Sequence, residues 1–194
     1  MLFRSETRQF FLQDAANFEF GGHVYGSGLD NGRPFFSRNI GLVNGAPVSI
    51  IAGAKLSGEY NGLNIGALSV LSDGTDTTDG QILSVARVTV PLFSESKLGF
   101  VATNGDPTGL SKNSLVGVDF QYSDSSFFGP RQRLQFDALY ERSFSNTRGD
   151  DAEIGAAVVL PNEPWGGQFN FKQIGQNFYP ALGFVNRPNI RFFD

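Results

Sequence analysis

The residues in this chain most suited to chemistry are Asp137 and Glu141, within the stretch Arg131–Phe144, RQRLQFDALYERSF. A glycosidase uses two carboxylates about 5–9.5 Å apart across the scissile bond. On one face of a strand, Asp137 and Glu141 are two pleats apart, roughly 13 Å at a rise of about 3.3 Å per residue. That is too far for an acid–base pair. Asp73, Asp76 and Asp79 in SDGTDTTDG offer hard oxygens for calcium. Their spacing is not that of an EF-hand and no Glu follows at the required place. They form the weak candidate for a metal site. His23 is the single histidine and has no zinc or triad partner in sequence, so it reads as a loop residue. Gly21, Gly22, Gly26 and Gly28 lack the Gly-Lys-Ser/Thr of a phosphate cradle. With no cysteine, disulfides, thiolate metal sites and Cys nucleophiles are excluded. The expectation is a chain that is not an enzyme and needs no cofactor.

The element that positions the two carboxylates explains them better. In Arg131–Phe144, Leu134, Phe136, Ala138, Tyr140 and Phe144 fall on one side. Arg131, Arg133, Gln135, Asp137, Glu141 and Ser143 fall on the other, with Leu139 as the exception. Period 2 makes this a strand with one apolar and one charged face. At about 14 residues it far exceeds the usual soluble strand of about 5–6. It suits a transmembrane β-barrel, which needs roughly 9–11 tilted residues per crossing.

The rest of the chain repeats the pattern. Residues 1–33 show no clean period and read as an irregular N-terminal segment. From residue 34 to 194, about ten strand-like runs follow. Pro34–Val43 is apolar and short of charge. Val48–Tyr60 alternates and runs into Asn61-Gly62, the strongest short hairpin signal. Leu63–Leu71, Gln81–Leu92, Lys97–Thr103, Asn113–Ser123, Ala152–Leu160 and Trp165–Gln173 continue, and the aromatic tail spans Phe178–Phe193. Tight connections (NG, SESK, PNEP) alternate with longer ones (SDGTDTTDG, NGDPTGLSK, SNTRGDD), as in outer-membrane barrels. Glycines inside the strands (Gly53, Gly66, Gly99, Gly117, Gly155) fit a bent sheet.

The fold expected is all-β, an antiparallel up-and-down meander of long strands forming part of a transmembrane β-barrel. With two unpaired edges, an open curved sheet is expected rather than a closed barrel. Lys55, Glu59, Arg87, Asp119, Arg131, Arg133, Asp137, Glu141 and Lys172 are expected to face the lumen, with ion pairs that fix strand register. Tyr60, Phe120, Tyr122, Phe136, Tyr140, Trp165, Phe169 and Phe171 are expected to face lipid or to form an interfacial aromatic belt. No run approaches 18 apolar residues, so no transmembrane helix is expected. The net charge of −4 speaks against nucleic acid. The opening MLFRSETRQFF lacks the apolar core of a signal peptide. In the envelope, this chain would be an internal piece of a longer precursor.

Three motifs add a likeness. RQFFLQ (within it Arg8–Leu12), RPFFSRNIG (Phe35–Gly41) and AGAKLSGEYNG (Gly53–Gly58), with the tail FYPALGFVNRPNIR, resemble the DUF5916 family of bacterial envelope proteins. The family joins a carbohydrate-binding-module-9-like domain to a C-terminal membrane β-barrel. In the tail, Tyr179 stands where the family has Asn. The resemblance implies a fragment from the start of the barrel region, without the sugar-binding domain, and it transfers no catalytic residue. It implies a bacterial outer-membrane location. The partners it implies are membrane lipid, the remainder of the precursor chain and a saccharide ligand. The function expected is membrane anchor or pore wall. The alternatives are a carbohydrate-binding or hydrolase-associated envelope protein whose activity lies in the missing domain, and a soluble lipocalin-like binding barrel.

Overall fold

A computed structural model describes residues 15–26, 30–43, 45–74 and 78–194. Arg8–Leu12, Gly28 and Asp76 lie outside them. The described chain is all-β. A two-residue hairpin, β1 (Leu42–Val43) with β2 (Ala46–Pro47), precedes the main sheet. The sheet then runs through β3 (Ile50–Tyr60), β4 (Leu63–Ser72), β5 (Ile82–Leu92), β6 (Ser96–Asn104), β7 (Asn113–Asp124), β8 (Leu134–Ser145), β9 (Asp151–Leu160), β10 (Gly167–Ile174) and β11 (Ile190–Phe193). Each strand pairs antiparallel with its sequence neighbour, so the order is a nine-stranded meander with β3 and β11 at its edges. The edges do not meet, and the sheet is open. Six of the strands from β3 to β10 have ten or more residues. The remaining helical content is three single 3₁₀ turns, and among the described residues no helix is long and apolar enough to cross a membrane.

The alternation in the sequence becomes two chemically distinct faces. β3 and β4 are joined at Asn61-Gly62, where both residues have positive φ (51° and 78°) and Tyr60 lies opposite Leu63. That is the backbone of a type I′ turn, whose twist matches the strands it joins. From this hairpin the pairing carries across the sheet almost without slippage, with one irregularity at Ile50/Ala52. One face, here called inner, is covered by the N-terminal segment and by residues 178–183. It holds Leu68, Val70, Leu83, Val85, Val101, Leu115, Leu139 and Ala157, and with them Phe20, Val24, Phe178 and Leu182 form the core. No described residue packs on the outer face. It carries Leu56, Ile82, Phe100, Val116, Tyr140, Phe144, Ile154 and Phe169, all exposed.

Three expectations need correction. About ten strand-like runs become nine strands in the sheet plus the short hairpin. Pro34–Val43 is not a strand over most of its length: it makes a 3₁₀ turn at Ser37–Asn39 and is extended only at Leu42–Val43. Its apolar residues serve as wedges, Phe35 against Phe18 (5.5 Å between centroids) and Phe36 against Phe184 (6.0 Å). A run of apolar residues without alternation fixes no secondary structure by itself. Finally, the strand after Pro130 begins at Leu134, not Arg131. Arg131 adopts φ 66° in the connecting loop. Arg133 is exposed and reaches sideways to Ser125 Oγ (2.9 Å) and Glu95 (3.8 Å). These two arginines therefore do not line the inner face. Trp165 likewise lies in the turn before β10, not in the strand.

The hairpin turn gives a direct check of register. A Cβ at Gly62 would meet only Pro91 Cγ, at an ordinary 3.7 Å. The cost of Gly62→Ala is then the left-handed backbone alone, about 1–2 kcal/mol, seen as a lowered denaturation midpoint with an unchanged circular dichroism spectrum.

Candidate functional site

The inner face carries a row of charged residues, and each strand contributes by the same rule. Every second residue points inward, so Arg87 on β5, Asp119 on β7, Asp137 and Glu141 on β8, Glu153 on β9 and Lys172 on β10 all share this face. All six are buried. Buried charge is costly unless paired and hydrogen-bonded, so the partners decide what the row does.

Arg87 and Asp119 meet as a bidentate pair, Nη1 to Oδ1 at 2.8 Å and Nη2 to Oδ2 at 3.0 Å. Gly99, on the strand between them, leaves the room: a Cβ there would collide with both side chains. The Arg87 guanidinium also stacks 5.0 Å from the centroid of Phe20. Asp119 Oδ2 accepts two further bonds, from Gln121 Nε2 (2.7 Å) and from the backbone amide of Gly21 (3.0 Å). Asp137 accepts from the His23 amide (2.7 Å) and lies 2.6 Å from His23 Nδ1. The Tyr25 hydroxyl donates to Glu141 Oε1. Lys172 donates to the Asn31 carbonyl (2.9 Å), lies 3.5 Å from Glu153 and sits 3.9 Å over the Tyr25 ring. Arg33 lies 5.3 Å from the centroid of the same ring.

One short segment thus satisfies most of the row. Residues 15–26 form two 3₁₀ turns, Ala15–Phe18 and Gly22–Tyr25, laid on the inner face. Gly21 and Gly22 both have positive φ (75° and 51°), which turns successive polar groups toward the wall. Strand glycines receive its side chains. A Cβ at Gly66 would press on Phe18, one at Gly117 on Phe20, and one at Gly155 would collide with Val24. The glycines expected to bend the sheet therefore also act as sockets. Leu139, the exception to the alternation of its strand, joins the core with Val24 beneath this segment.

Of the residues expected to face a lumen, Lys55, Glu59, Arg87, Asp119, Asp137, Glu141 and Lys172 lie on the inner face, and Arg131 and Arg133 do not. Tyr60, Phe120, Tyr122, Phe136, Tyr140, Phe169 and Phe171 lie on the outer face. Asp73 spends a carboxylate oxygen on the amide of Gly74. Among the described residues no group of three or more His, Cys, Asp and Glu is placed to hold a metal ion. The sequence reading passes over Glu153 and the partnership of His23, and it takes Tyr25 for an exposed loop aromatic, whereas that ring is buried. Glu153 was legible as the inward residue of Ala152–Leu160, directly opposite Glu141 in the pairing. Tyr25 and His23 were not, because a segment without period gives no sign of which surface it meets. Asp137 and Glu141 prove to be anchors for that segment.

Glu153 Oε2 and Glu141 Oε2 have no hydrogen-bond partner among the described residues. Burial, and then the carboxylates of Glu141 and Glu153, push the Tyr25 phenol well above its ordinary value. The site is a set of buried charges clamping a chain segment to a wall. A scan against protein-family models and searches of curated proteins and of solved structures found no match for the chain.

Tyr25→Phe removes the hydroxyl that meets Glu141 and leaves that buried acceptor unsatisfied, at a cost of about 1–3 kcal/mol. The neutral phenol stabilises the folded state fully below its unfolded value of about 10 and loses that contribution as pH rises toward the folded value. Unfolding titrations of wild type and Tyr25→Phe should therefore show a gap that narrows as pH rises above about 10.

Proposed function

We propose that the sheet is the wall of an outer-membrane β-barrel, with its outer face toward lipid and residues 15–26 lying as a plug on the lumenal face. The observation that carries this reading is the inverted placement of polarity. Charged residues are buried under the N-terminal segment, and large apolar residues cover the bare face. Soluble sheets with one wet face put polar residues on it, whereas membrane barrels alternate apolar-out and polar-in. Strand lengths of eight to twelve residues from β3 to β10 match one tilted crossing.

The two ends of the meander add support. Asn61-Gly62, residues 93–95 and residues 161–166 lie at one end, and the connections that leave β4, β6, β8 and β10 at the other. The nine-residue loop 125–133 breaks the division into tight turns and longer loops, and the five-residue 146–150 is no longer than 161–166 at the other end. The tight-turn end presents Tyr60, Phe93, Phe127, Phe128 and Trp165, with Phe93 82% and Trp165 87% exposed. Of these, the amphipathic rings of Tyr60 and Trp165 suit the headgroup level of a bilayer. The motifs that resemble the DUF5916 family agree with a barrel wall that anchors an envelope protein. In this reading any handling of saccharides belongs to polypeptide outside residues 1–194.

Trp165 is the only tryptophan, so its fluorescence reports on one rim. Refolded in phospholipid vesicles, its emission should shift to the blue and be quenched more by lipids brominated near the headgroup than by those brominated near the chain terminus. A chain that is monomeric and fully folded in plain buffer, with Trp165 emission unchanged by lipid, overturns the proposal.

A further inference from the structure

A cavity of about 640 Å³ lies beside the β10–β11 edge of the inner face, lined by Asp30, Asn31, Arg33, Phe36, Lys172, Phe184, Asn186, Arg187, Ile190 and Phe192. This volume is in the range of small-molecule sites, about 300–1,000 Å³. Its walls are preformed. Residues 32–36 and 182–187 are joined by Gly32 N to Phe184 O (2.8 Å), Phe184 N to Arg33 O (2.9 Å) and Phe36 N to Leu182 O (2.8 Å). The Asn31 side chain staples the mouth, accepting from the amide of Asn186 (2.6 Å) and donating to the carbonyl of Arg187 (2.9 Å). Such walls pay little ordering entropy when a ligand enters.

The lining has two characters. Phe36, Phe184, Ile190 and Phe192 make an apolar wall. Three cations face one acid, and the cations differ in what they already hold. Arg33 is committed to Asp30, with Nε at 2.9 Å and Nη2 at 2.5 Å from the same carboxylate oxygen. Lys172 is committed to Glu153 and to the Asn31 carbonyl. The Arg187 guanidinium makes no hydrogen bond or ion pair among the described residues.

We infer that this cavity binds a small organic anion that presents a flat apolar body and a carboxylate or phosphate group. The anionic group pairs with the fork of Arg187, which is shaped for bidentate recognition of such groups. The apolar body lies against Phe36, Phe184 and Phe192. A cation is repelled by the lining. A neutral apolar molecule takes water from Arg187 and returns nothing. An inorganic anion leaves the phenylalanine wall wet. The inference stands on the cavity alone and holds whether or not the outer face lies in lipid.

The test titrates phenyl phosphate into the intact chain under the conditions in which it is folded, with inorganic phosphate and phenol as half-ligands. Saturable one-to-one binding is expected, with both half-ligands weaker by roughly tenfold or more, the scale of one charge-assisted bond. The side-chain amide resonances of Asn31 and Asn186 should shift during the titration. Arg187→Gln should weaken binding by roughly tenfold. Arg191→Gln, on the outer face of the same edge strand, should leave it unchanged. Absent or non-saturable binding, equal affinity for phenol, or wild-type affinity in Arg187→Gln overturns the inference. Quenching of Trp165 by brominated lipid is unaffected by any of these outcomes, so the two proposals fail separately.

Discussion

The structure depends on one constraint: charges taken out of water on the inner face must find partners there. Arg87, Asp119, Asp137, Glu141, Glu153 and Lys172 cannot all satisfy one another across a sheet. Arg87 and Asp119 do so through a fork across the slot left by Gly99. Asp137 and Glu141 are completed by His23 and Tyr25, from a segment more than a hundred residues away in sequence. Removing one member of a buried pair typically costs about 3–5 kcal/mol, because the other is left uncompensated. The segment is thereby specified by the wall, and the wall's charges are tolerable only because the segment is there.

Apolar burial works with the same segment. Phe18, Phe20, Val24 and Tyr25 are the residues with which it covers the sheet, and glycines at 66, 117 and 155 provide depth for them. The inner face gains a core, while the outer face remains an apolar surface that no described residue covers. Water is a poor neighbour for a contiguous surface of Leu56, Ile82, Phe100, Val116, Tyr140 and Phe169. Lipid is a good one. The open edges at β3 and β11 impose a further demand, since backbone groups in a bilayer core must be paired. A barrel wall must therefore be continued at both edges by further strands.

The sequence revealed the parts with period and missed those without it. The two faces of Arg131–Phe144 were legible because strand geometry leaves each side chain only two directions, and the Asn61-Gly62 turn because few residues tolerate its backbone. Leu139 broke the alternation for a reason visible only in three dimensions, its place under Val24. Arg131 and Arg133 continued the pattern of the strand but belong to the loop, because Pro130 and the left-handed Arg131 delay its start. His23 looked isolated because its partner, Asp137, is 114 residues away. Irregular segments satisfy their polar groups through specific long-range contacts, and no local spacing encodes these.

The central claim is that the outer face meets lipid, and β8 tests it most directly. The chain has no cysteine, so single cysteines introduced in turn from residue 136 to 141 can each carry a nitroxide spin label in the vesicle-reconstituted protein. The account predicts high collision rates with oxygen and low rates with a water-soluble nickel complex at 136, 138 and 140, with the oxygen signal falling at 137, 139 and 141. Labels at 136, 138 and 140 that collide freely with the nickel complex, or a profile without period 2, would contradict it.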